Sequence, residues 1–143
     1  MTKSSILIVD DEPLNFDVIE ALLEQERYQL YYIDNGKSAI NNLDKYQPDL
    51  ILLDVMMPGM NGIEVCQKIK LLPRWSSVPI IMITALKSKQ DLAKCLAIGA
   101  DDFISKPVDK LELRARVQAM LRISHQHQQL EHTLEQQVAD VDG

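Results

Sequence analysis

Three carboxylates, a hydroxyl and an amine stand where short apolar runs of the chain end: Asp10 with Asp11, Asp54, Thr84 and Lys106. The preceding runs are Ile6-Leu7-Ile8-Val9, Leu50-Ile51-Leu52-Leu53, Val78-Pro79-Ile80-Ile81-Met82-Ile83 and Phe103-Ile104. Carboxylates gathered within a few ångströms repel one another, and a divalent cation relieves that repulsion. Oxygen-only ligands, with no His or Cys among them, favour Mg²⁺ over zinc, with Mn²⁺ as the alternative ion. Asp54 follows four apolar residues and is the natural nucleophile, because carboxylates form covalent aspartyl-phosphates. Lys106 suits a point-charge contact to a phosphoryl oxygen and Thr84 a hydroxyl contact. Phosphoryl transfer rests mainly on positioning and charge stabilisation, so the set needs no further base. Singly, each member has an ordinary reading: an acidic pair after a strand is commonly a turn or helix cap, and Thr is common at strand ends. Their joint placement at the ends of separate strands carries the argument.

Uninterrupted apolar runs of this kind are strands buried on both faces of a parallel sheet. Segments of helical period lie between them. Pro13 opens a helix whose inner stripe is Phe16, Ile19, Leu22 and Leu23, reaching about Arg27. Gln29 to Ile33 reads as a strand, Asn35-Gly36 as a turn, and Ala39, Ile40 and Leu43 as the buried face of a short helix. Ile63, Cys66, Ile69 and Leu72 mark the helix after the third strand. Lys87 to Ile98 is the next, capped by Gly99, and residues 101–105 form a short fifth strand. This alternation predicts an α/β fold: a doubly wound (βα)5 domain with a five-stranded parallel sheet in the order 2-1-3-4-5. Ligands of such sheets bind beyond the carboxyl ends of the strands, at the switch point between the first and third, where Asp10, Asp11 and Asp54 fall.

The 143 residues leave room for one full core and an appendage. A net charge of -6 argues against a nucleic-acid surface, which needs clustered Lys and Arg. No apolar stretch reaches the roughly 20 residues that span a bilayer, and no signal-peptide pattern opens the chain, so a cytoplasmic location is expected. Cys66 and Cys95 lack metal-ligand spacing and read as reduced, partly buried core residues, and Trp75 as a loop anchor.

From Ser5 to about Ile123 the chain resembles a bacterial response-regulator receiver domain of flavodoxin-like fold. The resemblance rests on Ile-Leu-Ile-Val-Asp10-Asp11-Glu12-Pro13, then Leu-Leu-Asp54-Val-Met-Met-Pro58-Gly-Met-Asn-Gly62, then Ile-Thr84-Ala85, then Gly99-Ala-Asp-Asp-Phe103-Ile-Ser-Lys106-Pro107. It implies that Asp54 accepts a phosphoryl group from a histidine kinase, a phosphotransfer protein or a small phosphodonor. It implies direct binding of Mg²⁺ by Asp11, Asp54 and the Met56 carbonyl, with Asp10 acting through water. Thr84, the Ala85 backbone and Lys106 would hold phosphoryl oxygens, and the Lys106–Pro107 bond would be cis, which only X-Pro bonds adopt cheaply. The implied switch draws Thr84 inward and rotates the side chain at Phe103, remodelling the face of the fourth helix, fifth strand and fifth helix. Phe103 stands where many members carry tyrosine. Met56 and Leu86 fall at positions that tune autodephosphorylation, and their apolar character points to a long-lived phosphoryl state. Such a domain is a regulatory module with self-catalysed phosphoryl transfer rather than a turnover enzyme.

The segment after residue 123 goes beyond a minimal receiver, so residues 1–123 are expected to form the receiver and 124–143 a helical extension. Asp109 with Glu112 makes a capping box, and Leu111 to about Ala139 holds neither Pro nor Gly, predicting one helix about 45 Å long. Leu130, Leu134, Val138 and Val141 recur at three or four residues, either a short coiled-coil seam leading to an output module or a solvated extension. His125, His127 and His132 do not make a metal site, since a two-residue spacing points side chains to different helix faces. A homodimer is expected through this helix or through the switch face, where Asp101, Asp102, Glu112, Arg114 and Arg116 supply both charge signs. Two alternatives differ in class. A haloacid-dehalogenase-like phosphatase requires a second Asp two residues after the nucleophile, where Met56 stands. A flavodoxin-like cofactor binder requires a phosphate cradle that the loop after the first strand lacks.

Overall fold

The computed structural model describes residues 3–85 and 89–142, with side chains up to Val138. Leu86 and the side chain of Val141 lie outside the described residues. Five strands form one parallel sheet: β1 (Ser5–Val9), β2 (Gln29–Ile33), β3 (Leu50–Asp54), β4 (Ile80–Thr84) and β5 (Asp102–Ser105), in the order β2-β1-β3-β4-β5. Among the described residues, six α-helices accompany them: α1 (Pro13–Leu22), α2 (Gly36–Asn41), α3 (Leu43–Tyr46), α4 (Gly62–Lys70), α5 (Lys89–Ala97) and α6 (Lys110–Asp142).

The sheet separates two apolar layers. Leu7, Val9, Ile51, Leu53, Ile80 and Met82 pack toward Ala39, Leu43, Val65, Cys66, Ile69 and Cys95 of α2 to α5. Ile6, Ile8, Leu50, Leu52, Ile81, Ile83 and Ile104 pack toward Ile19 and Leu23 near α1 and toward Leu113, Val117 and Leu121 of α6. Strands covered on both faces have no polar side to alternate with, which is why β3 and β4 are continuous apolar runs. Each fully buried Leu or Ile contributes about 2 kcal/mol from the apolar area it removes from water. Both cysteines are buried free thiols, and burial pushes the Cys66 thiol up to about 11.

Element ends differ from the sequence expectation where side chains intervene. The predicted first helix stops at Leu22, gives way to a 3-10 turn over Glu24–Glu26, and ends at Arg27 in the left-handed region (φ 57°). The predicted second helix divides at Asn42, whose side-chain amide donates to the Ser38 carbonyl at 2.7 Å. The surface expected from the fourth and fifth predicted helices is therefore the α5–β5–α6 face. Gly99 closes α5 at φ 109°, as its cap position requires. Asp101 falls just before β5. Its carboxylate accepts from the Ile80 N–H at 2.8 Å and from Lys70 Nζ at 3.1 Å, pinning the end of α4 to the start of β4.

Half of the capping box expected at α6 is seen: the Glu112 N–H donates to Asp109 Oδ2 at 2.9 Å, while the Glu112 carboxylate meets Arg116. The helix runs for 33 residues, about 50 Å. Beyond Leu121 it crosses the amino-terminal edge of the sheet, where buried Ser124 continues the inner stripe. Gln128 donates to Asp49 Oδ1 at 3.0 Å, while Asp49 Oδ2 accepts the Ser5 N–H at 2.8 Å. His125 Nε2 lies 3.2 Å from Ser4 Oγ. Docking thus extends by hydrogen bonds past the last apolar contact.

Candidate functional site

The strand register brings the chemistry-bearing residues to one edge. Val9 lies opposite Leu53 in the central β1·β3 pair, so Asp10 and Asp54 leave the sheet side by side. Asp54 pairs with Ile83 and Thr84 with Ser105, which places Thr84 and Lys106 one step farther along their strands. Oxygens of Asp10, Asp11 and Asp54 all lie within 4.8 Å of one another, forming the one such group among the described residues. The three histidines of α6 form none; His127 instead pairs with Glu131 at 2.8 Å.

Lys106 Nζ is 3.3 Å from Asp54 Oδ1 and 3.7 Å from Asp10 Oδ2. Its backbone N–H donates to the Thr84 carbonyl at 2.8 Å, and the Lys106–Pro107 bond that follows is cis. The Met56 N–H donates to Asp54 Oδ1 at 3.3 Å, while the Met56 side chain is exposed. Thr84 is fully buried at the end of β4, with Ala85 next to it. Below them, the Gly62 N–H donates to the Val55 carbonyl at 2.9 Å, folding the loop between β3 and α4 back onto Asp54.

Two residues that the sequence did not single out hold Asp10. Its Oδ1 accepts from the Glu12 N–H at 2.9 Å and from Asn15 Nδ2 at 3.1 Å. Its backbone carbonyl accepts from the Tyr32 hydroxyl at 2.8 Å, and Tyr32 stacks on Phe16 with ring centroids 4.9 Å apart. Asn15 lies in the first turn of α1, facing the strand ends, a position legible once α1 is placed; nothing in the local pattern of β2 marks Tyr32.

Burial raises the Asp54 carboxyl above its ordinary value, and the neighbouring Asp10 charge raises it further; Lys106 and the Met56 N–H oppose both. A carboxyl so raised binds its proton more tightly in the folded than in the unfolded chain, so its contribution to stability falls as pH rises through this window and returns as pH falls. Without divalent ions, Asp54→Asn is therefore expected to melt above the wild type at neutral pH, with the gap closing under acid conditions. Identical melting curves at both pH values would contradict this.

At the switch face, Phe103 is half-buried against the α2–α5 layer, and its N–H donates to Asp102 Oδ1 at 2.9 Å. The guanidinium of Arg116 grips Asp102 through both oxygens, at 3.0 and 2.8 Å, and reaches Glu112 at 3.3 Å. Arg114 pairs with Glu26. The charges expected to pair between copies are paired within the chain.

A family model described as the response regulator receiver domain matches residues 6–118. The regulatory protein VanR of Enterococcus faecium is 44% identical over 120 residues, covering 84% of this chain and 51% of that protein. The response regulator PleD of Caulobacter vibrioides is 43% identical over 120 residues, covering 84% of this chain and 26% of that protein. The chain thus spans about a half and about a quarter of the length of these relatives. The receiver domain of a sensor histidine kinase from Pseudomonas aeruginosa superposes with a TM-score of 0.76 at 31% identity, covering 84% of this chain and 98% of that one. That structure is described with a magnesium ion coordinated in its active-site cleft.

Proposed function

The chain belongs to the response regulator receiver domain family, and from that we propose that it is a phosphorylation-controlled switch in which Asp54 accepts the phosphoryl group. The observation that supports this most is the buried Asp54 carboxylate lying between two other acids and the Lys106 ammonium. A carboxylate oxygen of Asp54 attacks the phosphorus of a phosphohistidine on a histidine kinase or phosphotransfer protein. The P–N bond breaks as the P–O bond forms, and its electron pair stays on the imidazole nitrogen. Lys106 meets the charge gathering on the phosphoryl oxygens, and the Thr84 hydroxyl and the Ala85 N–H, at the end of β4, would receive them.

The donor set fits a hard divalent cation: oxygens of three carboxylates within 4.8 Å of one another, with no nitrogen or sulfur ligand among them. Asp11, Asp54 and the Met56 carbonyl would hold Mg²⁺ or Mn²⁺ directly, with Asp10 through water. The ion supplies compensation for carboxylate and phosphoryl charge.

The test is intact mass after incubation with acetyl phosphate. Wild type with Mg²⁺ is expected to gain one phosphoryl group, and to gain none in the presence of a chelator. Many turnovers of a phosphomonoester, without a stable adduct, would instead favour the phosphatase reading.

In this reading, residues 1–123 form the receiver and α6 beyond it a linker that pairs with a second copy. Ile123, Leu130, Leu134 and Val138 are exposed along one stripe of α6, whereas the switch-face charges are already engaged within the chain. Exposed ion pairs add little, so an exchange of partners at Arg116 would contribute less than burying the stripe. Sedimentation of the phosphorylated protein separates the two surfaces: Leu134→Glu is expected to weaken self-association and Arg116→Glu to leave it intact. The reverse pattern would place the dimer at the α5–β5–α6 face.

A further inference from the structure

Resting on the metal-dependent reading above, we propose that Asn15 is a positioning residue, which sets Asp10 so that one carboxylate oxygen alone faces the acidic cluster. The two oxygens of Asp10 have different surroundings. Oδ1 is taken up by two donors, the Glu12 N–H and Asn15 Nδ2. Oδ2 lies toward Lys106, at 3.7 Å, on the side where Asp54 stands. A single hydrogen bond to Oδ1 would still let the carboxylate swing about it; two donors from different directions fix its plane. The backbone beneath is held as well, because the Tyr32 hydroxyl donates to the Asp10 carbonyl and the Phe16–Tyr32 stack sets that hydroxyl in place.

Asn15 suits this task chemically. Its amide donates without adding charge, whereas an acid here would place a fourth carboxylate beside three, and a Lys or Arg would compete with the cation for the same oxygens. Its place in the first turn of α1 ties the site to a rigid element that packs on the sheet through Ile19 and Leu23. Groups hydrogen-bonded to metal ligands orient them, and their loss typically weakens metal binding tenfold or more.

The experiment measures Mg²⁺ affinity by calorimetry on the full chain, and alongside it the Mg²⁺ dependence of phosphorylation by acetyl phosphate. The proteins are wild type, Asn15→Ala and Asn15→Leu, the last keeping the volume without the donor. Both variants are expected to bind Mg²⁺ about tenfold more weakly. Both should phosphorylate at close to the wild-type rate once Mg²⁺ saturates, and melt with wild type when chelated. Unchanged Mg²⁺ affinity in both variants overturns the proposal. So does a loss in Asn15→Ala that Asn15→Leu restores, since that would make the role one of packing. Wild type that binds no Mg²⁺ would overturn the functional reading itself, and the proposal with it.

Discussion

Asp54→Asn is expected to abolish phosphorylation by acetyl phosphate completely while leaving the protein folded. The substitution preserves shape and replaces a carboxylate oxygen with an amide nitrogen whose lone pair is delocalised, so the nucleophile is lost and little else changes. Neither neighbouring acid is placed to take over. Asp10 has Oδ1 committed to Glu12 and Asn15, and its Oδ2 is farther from Lys106 than Asp54 is, at 3.7 Å against 3.3 Å. Asp11 lies outside the hydrogen bonds that hold Asp54 in line, from the Met56 N–H and from Lys106. Intact mass reads the result directly. A variant that still gains one phosphoryl group would assign the acceptor to another residue and overturn the proposed role of Asp54. The same variant, melting above wild type without divalent ions, would show that the carboxylate is kept at some cost in stability.

Gly62→Ala is the substitution outside the acidic cluster expected to do most damage. A β-carbon at Gly62 would sit 2.2 Å from the Asp54 carbonyl oxygen and 2.8 Å from Val55 Cα. Both neighbours are backbone of β3 and the residue after it, so no side chain can swing aside. The loop must move away from the sheet or the end of β3 must shift, and either breaks the 2.9 Å bond from the Gly62 N–H to the Val55 carbonyl. Overpacking of this kind costs about 1–3 kcal/mol. It would also displace the Met56 N–H, which shares the loop and donates to Asp54. Urea denaturation should show the lost stability, and phosphorylation should slow in parallel. Wild-type values for both would mean that the loop relaxes freely, contrary to the close contact seen here.

Some of this was written in the chain itself. The continuous apolar runs before Asp10, Asp54 and Thr84 announce strands covered on both faces, because a strand with one wet face has to alternate, and the short Phe103-Ile104 pair marks a fourth end before Lys106. Strict alternation with helices then leaves few sheet orders, and the observed one places those four ends together. The Asp109 cap of α6 and the left-handed Gly99 were legible because both are local, set by residues within four of one another.

What only the tertiary structure decided depends on the directions of side chains from distant segments. That Asn15 and Tyr32 converge on Asp10 follows from how α1 and β2 lie against β1, which their own patterns do not state. Arg116 closes on Asp102 within the chain because α6 runs beside β5, and sequence spacing alone allowed the same charges to pair between copies. The polar second half of α6 read as a coiled-coil seam or as a solvated extension. The docking of its first residues, through His125 and Gln128, needs Ser4 and Asp49, which only the fold brings to the amino-terminal edge of the sheet. Periodicity reports which face of an element is buried; it carries no information about the partner a polar atom will meet across the fold.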